Sequence, residues 1–430
     1  MRENSSIFVR SGLRTEKQIA VLAAKDYTKQ VLVLNERGSI ALALDRANEL
    51  IHLCKDFELY NDLVNALVTK QNIIKVKSKH EEIIELEAEI NYYTQANFAV
   101  KRAEYLYVHL TSLVSNTAVR NTGHPEVESG IKELRDLYGQ TSASFVLYYL
   151  ICLEIIYYTE IQRPLIALNK SRELLELVKS KPAITGSQHY PICYMYLAQT
   201  NISLYRFDEA LVYCEAAKGL LMPRNWNYGE TLLLEFYVHF YQSNFKRALE
   251  CIEILADGTT YPATLFKQNE RRYLKSCCLF AMGKTALAEH ELSQIYQITK
   301  DKAGWNIGIR VLAVMLACVT NKQDSMYRHY ENLLLELRRI KKLVNISERD
   351  RLIIRVLREL LNNHGNFKVV AKNCDKELEL LNLKDGQTAW LLFGHELIPF
   401  HQWFKCMQKR KDLSIELSPK DRILNFPLSS

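Results

Sequence analysis

Apolar residues recur along most of this 430-residue chain at intervals of three and four, the spacing of an amphipathic helix. The clearest pair of such patterns lies between Cys193 and Pro223, with a short bend in the middle. Its two apolar stripes are Leu197, Ala198, Ile202 and Leu204, then Phe207, Ala210, Leu211, Cys214 and Ala217. Pro223 is predicted to end the second helix. We predict a hairpin of two antiparallel helices, which needs similar neighbours to bury its apolar faces.

The same periodicity predicts helices over most of the remaining chain. The predicted ranges are 15–34, 40–54, 57–76, 79–94, 98–114, 142–159, 164–179, 230–242, 245–255, 269–282, 285–297, 305–319, 325–340, 348–362 and 367–381. An apolar, aromatic segment over 388–408 and a loose tail follow. The pattern therefore predicts an all-α chain of successive hairpins.

One position in the second helix of each hairpin recurs with a period near 40. The residues predicted at this position are Ala167, Ala210, Ala248, Ala288, Tyr327 and Val370, which are 43, 38, 40, 39 and 43 residues apart. Ala43 and Ile83 are candidate earlier members. A tyrosine in place of alanine is expected to push the helices of its hairpin apart, so the stack should be irregular.

The central hairpin resembles the tetratricopeptide repeat. The residues that carry the resemblance are Leu197, Ala198, Phe207, Ala210, Ala217 and Pro223, while Asn201 replaces the family's usual tyrosine and Tyr205 its turn glycine. The resemblance implies a right-handed superhelix, here of about nine irregular hairpins, that binds proteins or peptides in its concave groove. The first helices would line that groove, which places these residues towards it: Gln199, Ser203, Tyr237, Tyr241, Cys277 and Arg310. The two tyrosines have a second interpretation, as packing between adjacent hairpins.

Polar residues with Gly and Pro over 115–130 mark a candidate boundary. We predict an N-terminal helical region over 1–122, a repeat array over 123–386, and a capping helix with a tail over 387–430. The first region is interpreted as diverged repeats or as a separate capping bundle.

Composition narrows the class of protein. The 15 glycines and 9 prolines are too few for the many turns of a sandwich or barrel. The net charge of +7 is mild and spread along the chain, and the ten cysteines are scattered on apolar stripes. With no apolar signal core at the N-terminus, we expect a cytoplasmic protein. The apolar stretch over 143–158 contains Glu154 and is short for a membrane span, so it is interpreted as a buried helix.

Two clusters suggest chemistry. His395, Glu396 and His401 invite a metal site, but the histidines are six apart and Pro399 interrupts them, so we favour capping-helix packing. The basic stripe Arg351, Arg355 and Arg358 shares one helix face and suits either a polyanion or solvent.

The sequence has no phosphate loop, GxSxG or HExxH motif, and we expect no catalytic residue, no cofactor and no metal. An α/α toroid enzyme is the enzymatic alternative. The favoured function is a non-enzymatic scaffold for a protein or peptide. The alternative is a helical-repeat regulator whose N-terminal bundle contacts nucleic acid.

Overall fold

The computed structural model describes residues 16–75, 80–114, 124–185, 189–256, 264–296, 304–340, 346–384 and 386–417. In these residues the regular secondary structure is α-helical, which confirms the predicted all-α class. The chain forms two compact units, residues 16–114 with 124–196 and residues 197–417. Because both sides of the 115–123 stretch belong to the first unit, the observed division differs from the boundary expected at 122.

The first unit contains helices that pack mainly on their neighbours in sequence. They are α1 (Glu16–Glu36), α2 (Ile40–Asp56), α3 (Tyr60–Lys75), α4 (His80–Val114), α5 (Pro125–Thr141), α6 (Ser144–Glu160) and α7 (Pro164–Ser180). Helix α4 is continuous where two helices were predicted, because the buried alanines Ala96, Ala99 and Ala103 continue its packed face across the expected break. The helix α5 begins within the stretch predicted as a loop, with Pro125 in its first turn.

Helix α6 is the apolar stretch that was considered as a membrane span. It packs against α4, α5 and α7, and most of its side chains are buried. Its one acidic residue in the interior, Glu154, is 1% exposed and pairs with Arg135 and Lys170. None of the described helices is long and apolar enough to cross a bilayer. The interpretation as a buried helix is confirmed.

The second unit begins within α8 (His189–Ser203) and continues to residue 417. Its further helices are α9 (Phe207–Lys218), α10 (Trp226–Tyr241), α11 (Phe245–Ala256), α12 (Leu265–Ala281), α13 (Thr285–Ser293), α14 (Trp305–Val319), α15 (Gln323–Ile340), α16 (Glu348–Asn362), α17 (Phe367–Asn373), α18 (Asp375–Leu381) and α19 (Phe400–Lys409). Helix α9 ends at Lys218 beside Gly219, five residues before the predicted stop at Pro223. The predicted helix over 367–381 is broken at Cys374 into α17 and α18.

The bends inside the hairpins share one backbone geometry. In each, a residue with positive φ follows the first helix, and the next residue's N–H bonds to a carbonyl five positions earlier. Successive residues of this kind are 43, 38, 40 and 38 positions apart: Gln162, Tyr205, Ser243, Gly283 and Asn321. Tyr205 thus adopts the left-handed conformation of the glycine that it replaces.

This turn register corrects one member of the predicted series. Ala167, Ala210, Ala248 and Ala288 each lie five residues after their turn residue and are fully buried. In the next hairpin that position is Met326, which is 1% exposed, while Tyr327 is 59% exposed. Tyr327 therefore does not separate the helices. In the first unit the register selects Ala43 and Leu63, and Ile83 is a half-buried residue of α4.

Candidate functional site

The first helices of successive hairpins in the second unit, α10, α12, α14 and α16, each contact the same non-helical stretch near the C-terminus. This stretch, residues 386–399, is called the inserted segment below. It contains turns but no helix and leads directly into α19. Its Trp390, Leu392, Leu397 and Ile398 belong to the hydrophobic core of the second unit. The predicted C-terminal cap is thus part of the interior of that unit.

Tyrosines on α10 and α12 bind the backbone of the inserted segment. The hydroxyl of Tyr241 accepts a hydrogen bond from the N–H of Phe393 at 3.0 Å, and that of Tyr273 donates to the carbonyl of His395 at 2.6 Å. The rings of Tyr237 and Phe393 meet edge to face with 4.9 Å between centroids. The two hydrogen bonds use backbone groups, which every peptide has.

Two glycines on and before α14 allow the inserted segment to approach closely. A Cβ on Gly308 would lie 2.2 Å from the carbonyl oxygen of His395 and 2.9 Å from the Tyr273 hydroxyl. A Cβ on Gly304, which has φ +78°, would lie 2.9 Å from the His395 ring. At Gly308 the backbone of the segment, and at Gly304 the His395 ring, therefore occupies the space in which any other residue would place its side chain.

Arg349, near the start of α16, holds the inserted segment at both ends. It forms a bidentate pair with Glu396 and donates to the carbonyl oxygens of Leu381 and Thr388 at 2.9 and 2.6 Å. The guanidinium also contacts Nδ1 of His401 at 3.2 Å. Glu396 in turn accepts from the N–H of Phe400 at the start of α19. Both members of this buried ion pair therefore have further hydrogen-bond partners, which a stable buried ion pair requires.

Ser347, Asp350 and His395 form a hydrogen-bonded chain in a different order from that of a catalytic triad. The Asp350 carboxylate accepts from the Ser347 hydroxyl at 2.6 Å and lies 2.9 Å from Nε2 of His395. In a serine hydrolase the imidazole, not the carboxylate, stands between the other two groups. Burial alone would raise the pKa of Asp350, but His395 and the hydrogen bonds outweigh it and lower that pKa. The chain anchors the segment and caps α16.

The groove residues predicted from the sequence lie in three different environments. Tyr237, Tyr241 and Cys277 are 5%, 1% and 1% exposed and lie in the core beside the inserted segment, so their side chains do not face an empty groove. Ser203 is buried and donates to the carbonyl of Gln199 in its own helix, and Gln199 is half-buried. Arg310 is half-buried. The structure therefore does not bring the six residues together on one surface.

Arg310 lines a cavity of about 300 Å³ between α13, α14 and α15. Arg328 and His329 also line it, and Lys322 pairs there with Glu289 at 3.0 Å. Burial, with Arg328 as the next cause, lowers the pKa of His329. The cavity is thus basic through Arg310 and Arg328.

A larger cavity, of about 1150 Å³, lies where the inserted segment ends. Residues around two hairpin turns form one wall, among them Phe207 and Gln242, and α19 with the chain after it forms the other. Tyr241 and Trp390 connect the cavity to the inserted segment. The side chain of Ser243 forms hydrogen bonds with the backbone of Ile415, which lines the cavity.

Basic residues dominate the rim of this larger cavity. The lysines that line it are Lys384, Lys405, Lys409 and Lys411, and the acidic residue among the lining side chains is Glu416. Within the described ranges, no ion pair involves Lys405, Lys409 or Lys411. Burial, followed by the charges of Arg349 and Lys405, lowers the pKa of His401 to about 3. His401 is therefore neutral at physiological pH beside several positive charges.

The cysteines and possible metal ligands are the other candidate reactive groups. The ten cysteines are free thiols and nine are buried. Burial raises the pKa of Cys251 to about 11 and of Cys374 to about 11, which keeps both protonated at neutral pH. Among the described residues, no group of three or more His, Cys, Asp or Glu is placed to hold a metal ion.

The basic stripe on α16 is exposed, as predicted for a solvated or partner-binding face. Arg351 pairs with Glu348 at 3.1 Å, and Arg355 lies 4.0 Å from Glu377. Arg358 is exposed on the same face. Acidic neighbours thus dilute the charge of this stripe.

Sequence reasoning missed both the inserted segment and the lysine-lined cavity. Glycines at 304 and 308, at the start of an otherwise strongly apolar helix, were the available signal for a close backbone approach. Gln402, Lys405, Cys406 and Lys409 recur at i, i+3, i+4 and i+7, which indicates a polar helix face opposite Phe400, Trp403 and Phe404.

The sequence matches no protein-family model, and no curated protein is significantly similar to it.

Proposed function

We propose that this chain is a non-enzymatic scaffold that binds a protein or peptide segment at the groove side of its second unit. The hairpins of that unit are proposed to stack as a right-handed, tetratricopeptide-like superhelix. The repeated left-handed turns and the buried small residues five positions later support this arrangement. Free, buried cysteines with raised pKa values suit a reducing compartment, and we propose the cytoplasm.

The observation that carries the proposal is the way the groove-side helices hold the inserted segment. Side chains from α10, α12 and α16 bond to its backbone N–H and carbonyl groups, and α14 contributes glycines against which it lies. Peptide-binding grooves obtain affinity from such backbone contacts and specificity from side-chain pockets. A surface that already holds one non-helical stretch of chain has the chemistry to hold a second.

The larger cavity is the part of this surface that remains accessible. Tyr241 and Trp390 belong to both the cavity wall and the contacts of the inserted segment, so the two regions are continuous. A bound peptide would lie against α19 and the turns at Tyr205 and Ser243. The buried residues Tyr237 and Cys277 would support this site from below without touching the partner.

Panning of a random 12-residue peptide library against the full chain tests the proposal. We expect convergence on a motif whose synthetic peptide binds with micromolar affinity. Gln242→Trp and Asn382→Trp place large rings at exposed positions of the cavity wall and should weaken binding at least tenfold. Val212→Trp, at an exposed position of α9 outside the cavity lining, is the matched control and should leave affinity unchanged.

Failure to enrich any motif would contradict the proposed function. A motif whose affinity is the same for the two cavity variants and for the control would place binding elsewhere and overturn the proposed site.

A further inference from the structure

We infer that the larger cavity selects an acidic peptide segment, one that carries several carboxylate or phosphate groups together with an apolar side chain. This inference rests on the proposed function and names the class of partner for the same site. The two faces of α19, the charge of the cavity rim and the apolar part of its wall support it.

Helix α19 divides its two faces sharply. Phe400, Trp403 and Phe404 are buried in the core of the second unit. The opposite face carries Lys405 and Lys409, one helical turn apart, and both are exposed and line the cavity. Because residues four apart on a helix are neighbours, their ammonium groups present two positive charges on one side of the cavity.

The chain after α19 adds to this charge rather than neutralising it. Arg410 adopts a left-handed conformation with φ 54°, which turns the chain so that Lys411 also lines the cavity. Glu416 is the acidic side chain in this wall, and its backbone N–H and carbonyl are held by the amide of Gln402. Lys405, Lys409 and Lys411 against Glu416 leave an excess of two positive charges for a bound segment to meet.

The wall opposite α19 suits a peptide better than an ion alone. The half-buried rings of Tyr205 and Phe207 line this wall, with the buried Tyr241 and Trp390 beside them. Gln242 and Asn244 add exposed amides that can bond to a peptide backbone. The volume of about 1150 Å³ exceeds the roughly 300–1,000 Å³ of small-molecule pockets. The cavity therefore has room for several residues, with an apolar anchor on the aromatic wall and acidic groups on the lysines.

The experiment compares labelled 12-residue peptides by fluorescence polarisation on the full chain. The probes are a Glu-rich peptide with one Leu and one Phe, its Gln-for-Glu counterpart, and the same sequence with phosphoserine in place of two Glu. A single-stranded DNA 12-mer and inorganic phosphate serve as competitors. We expect the acidic peptide to bind at least tenfold more tightly than the Gln peptide at 50 mM salt, with a smaller difference at 500 mM salt. Comparison with the phosphoserine peptide distinguishes carboxylate from phosphate groups as the source of the negative charge.

Variants connect the binding to these lysines. Lys405→Glu with Lys409→Glu should weaken the acidic peptide at least tenfold and the Gln peptide less than threefold. The matched control, Lys372→Glu with Lys376→Glu, changes the net charge equally at exposed positions of α17 and α18 that do not line the cavity. It should change both affinities less than twofold.

Each other outcome overturns the inference. Equal affinity for the acidic and Gln peptides refutes charge selection and leaves peptide binding intact. An equal loss in the control pair shows a general surface effect. Displacement by DNA or phosphate at lower concentration than by unlabelled acidic peptide assigns the cavity to another anion. If library peptides from the panning bind while none of these probes does, the acidic class is wrong and the proposed function stands.

Discussion

Replacement of Gly308 by alanine tests whether the inserted segment lies as closely on α14 as the structure shows. In an ordinary helix this substitution stabilises by about 1 kcal/mol, because alanine has the better helix propensity. Here the added Cβ would lie 2.2 Å from the carbonyl oxygen of His395, which belongs to backbone and cannot rotate away like the end of a side chain. We therefore expect the opposite sign.

The magnitude follows from two contacts. Forcing a methyl group into a packed interior costs about 1–3 kcal/mol. Moving the His395 carbonyl also disrupts its 2.6 Å hydrogen bond from Tyr273, and leaving such buried groups unpaired costs about 1–3 kcal/mol. After the propensity gain is subtracted, the free energy of unfolding of the second unit should fall by about 1–5 kcal/mol.

Tryptophan fluorescence during urea unfolding measures this change, because the four tryptophans, at 226, 305, 390 and 403, all lie in the second unit. Hydrogen–deuterium exchange locates it, and amides in 388–399 should lose protection first. The matched control is Gly219→Ala: Gly219 is exposed and helical at the end of α9, and its nearest neighbour to an added Cβ is 3.5 Å away. That variant should gain about 0.4–1 kcal/mol.

Two results would refute the close approach: Gly308→Ala as stable as the control, or exchange that accelerates throughout the second unit without preference for 388–399. Either result would mean that the segment does not lie against α14 in solution.

Three further predictions address the register, the buried pair and acid stability. Met326→Ala should cost about 2–5 kcal/mol because it empties a buried position, whereas Tyr327→Ala should change stability by less than about 0.5 kcal/mol; similar costs for both would refute the turn register. Arg349→Met should cost about 3–5 kcal/mol in urea unfolding because it leaves Glu396 unpaired, and a neutral result would contradict the pair. The pKa of His401 is about 3 when folded and near 6.5 when unfolded, so the unfolded chain binds the extra proton and stability falls as pH drops from 6.5 towards 3. His401→Gln should reduce that slope by up to about 1.4 kcal/mol per pH unit, and an unchanged slope would refute the assignment.

Local pattern accounts for most of the helical framework. The bounds of α14 and α16 coincide with the predicted ranges, and the buried series Ala167, Ala210, Ala248 and Ala288 was recognised from spacing alone. These features are local because a helix and its turn are encoded within a few residues. The local pattern is ambiguous where two registers look alike over a short stretch: it predicts Tyr327 where the structure has Met326, and it predicts two helices where α4 is continuous.

The sequence by itself determined that this chain is a series of paired helices with small residues at their close approaches, because helical periodicity and capping act over three or four positions. Only the tertiary structure decided what packs against the first helices of the hairpins in the second unit. Residues 386–399 have no helical period, and their partners Tyr241, Tyr273 and Arg349 precede them by about 40 to 150 positions. Such contacts depend on where folded helices bring distant residues together, and no local pattern of apolar and polar positions specifies that.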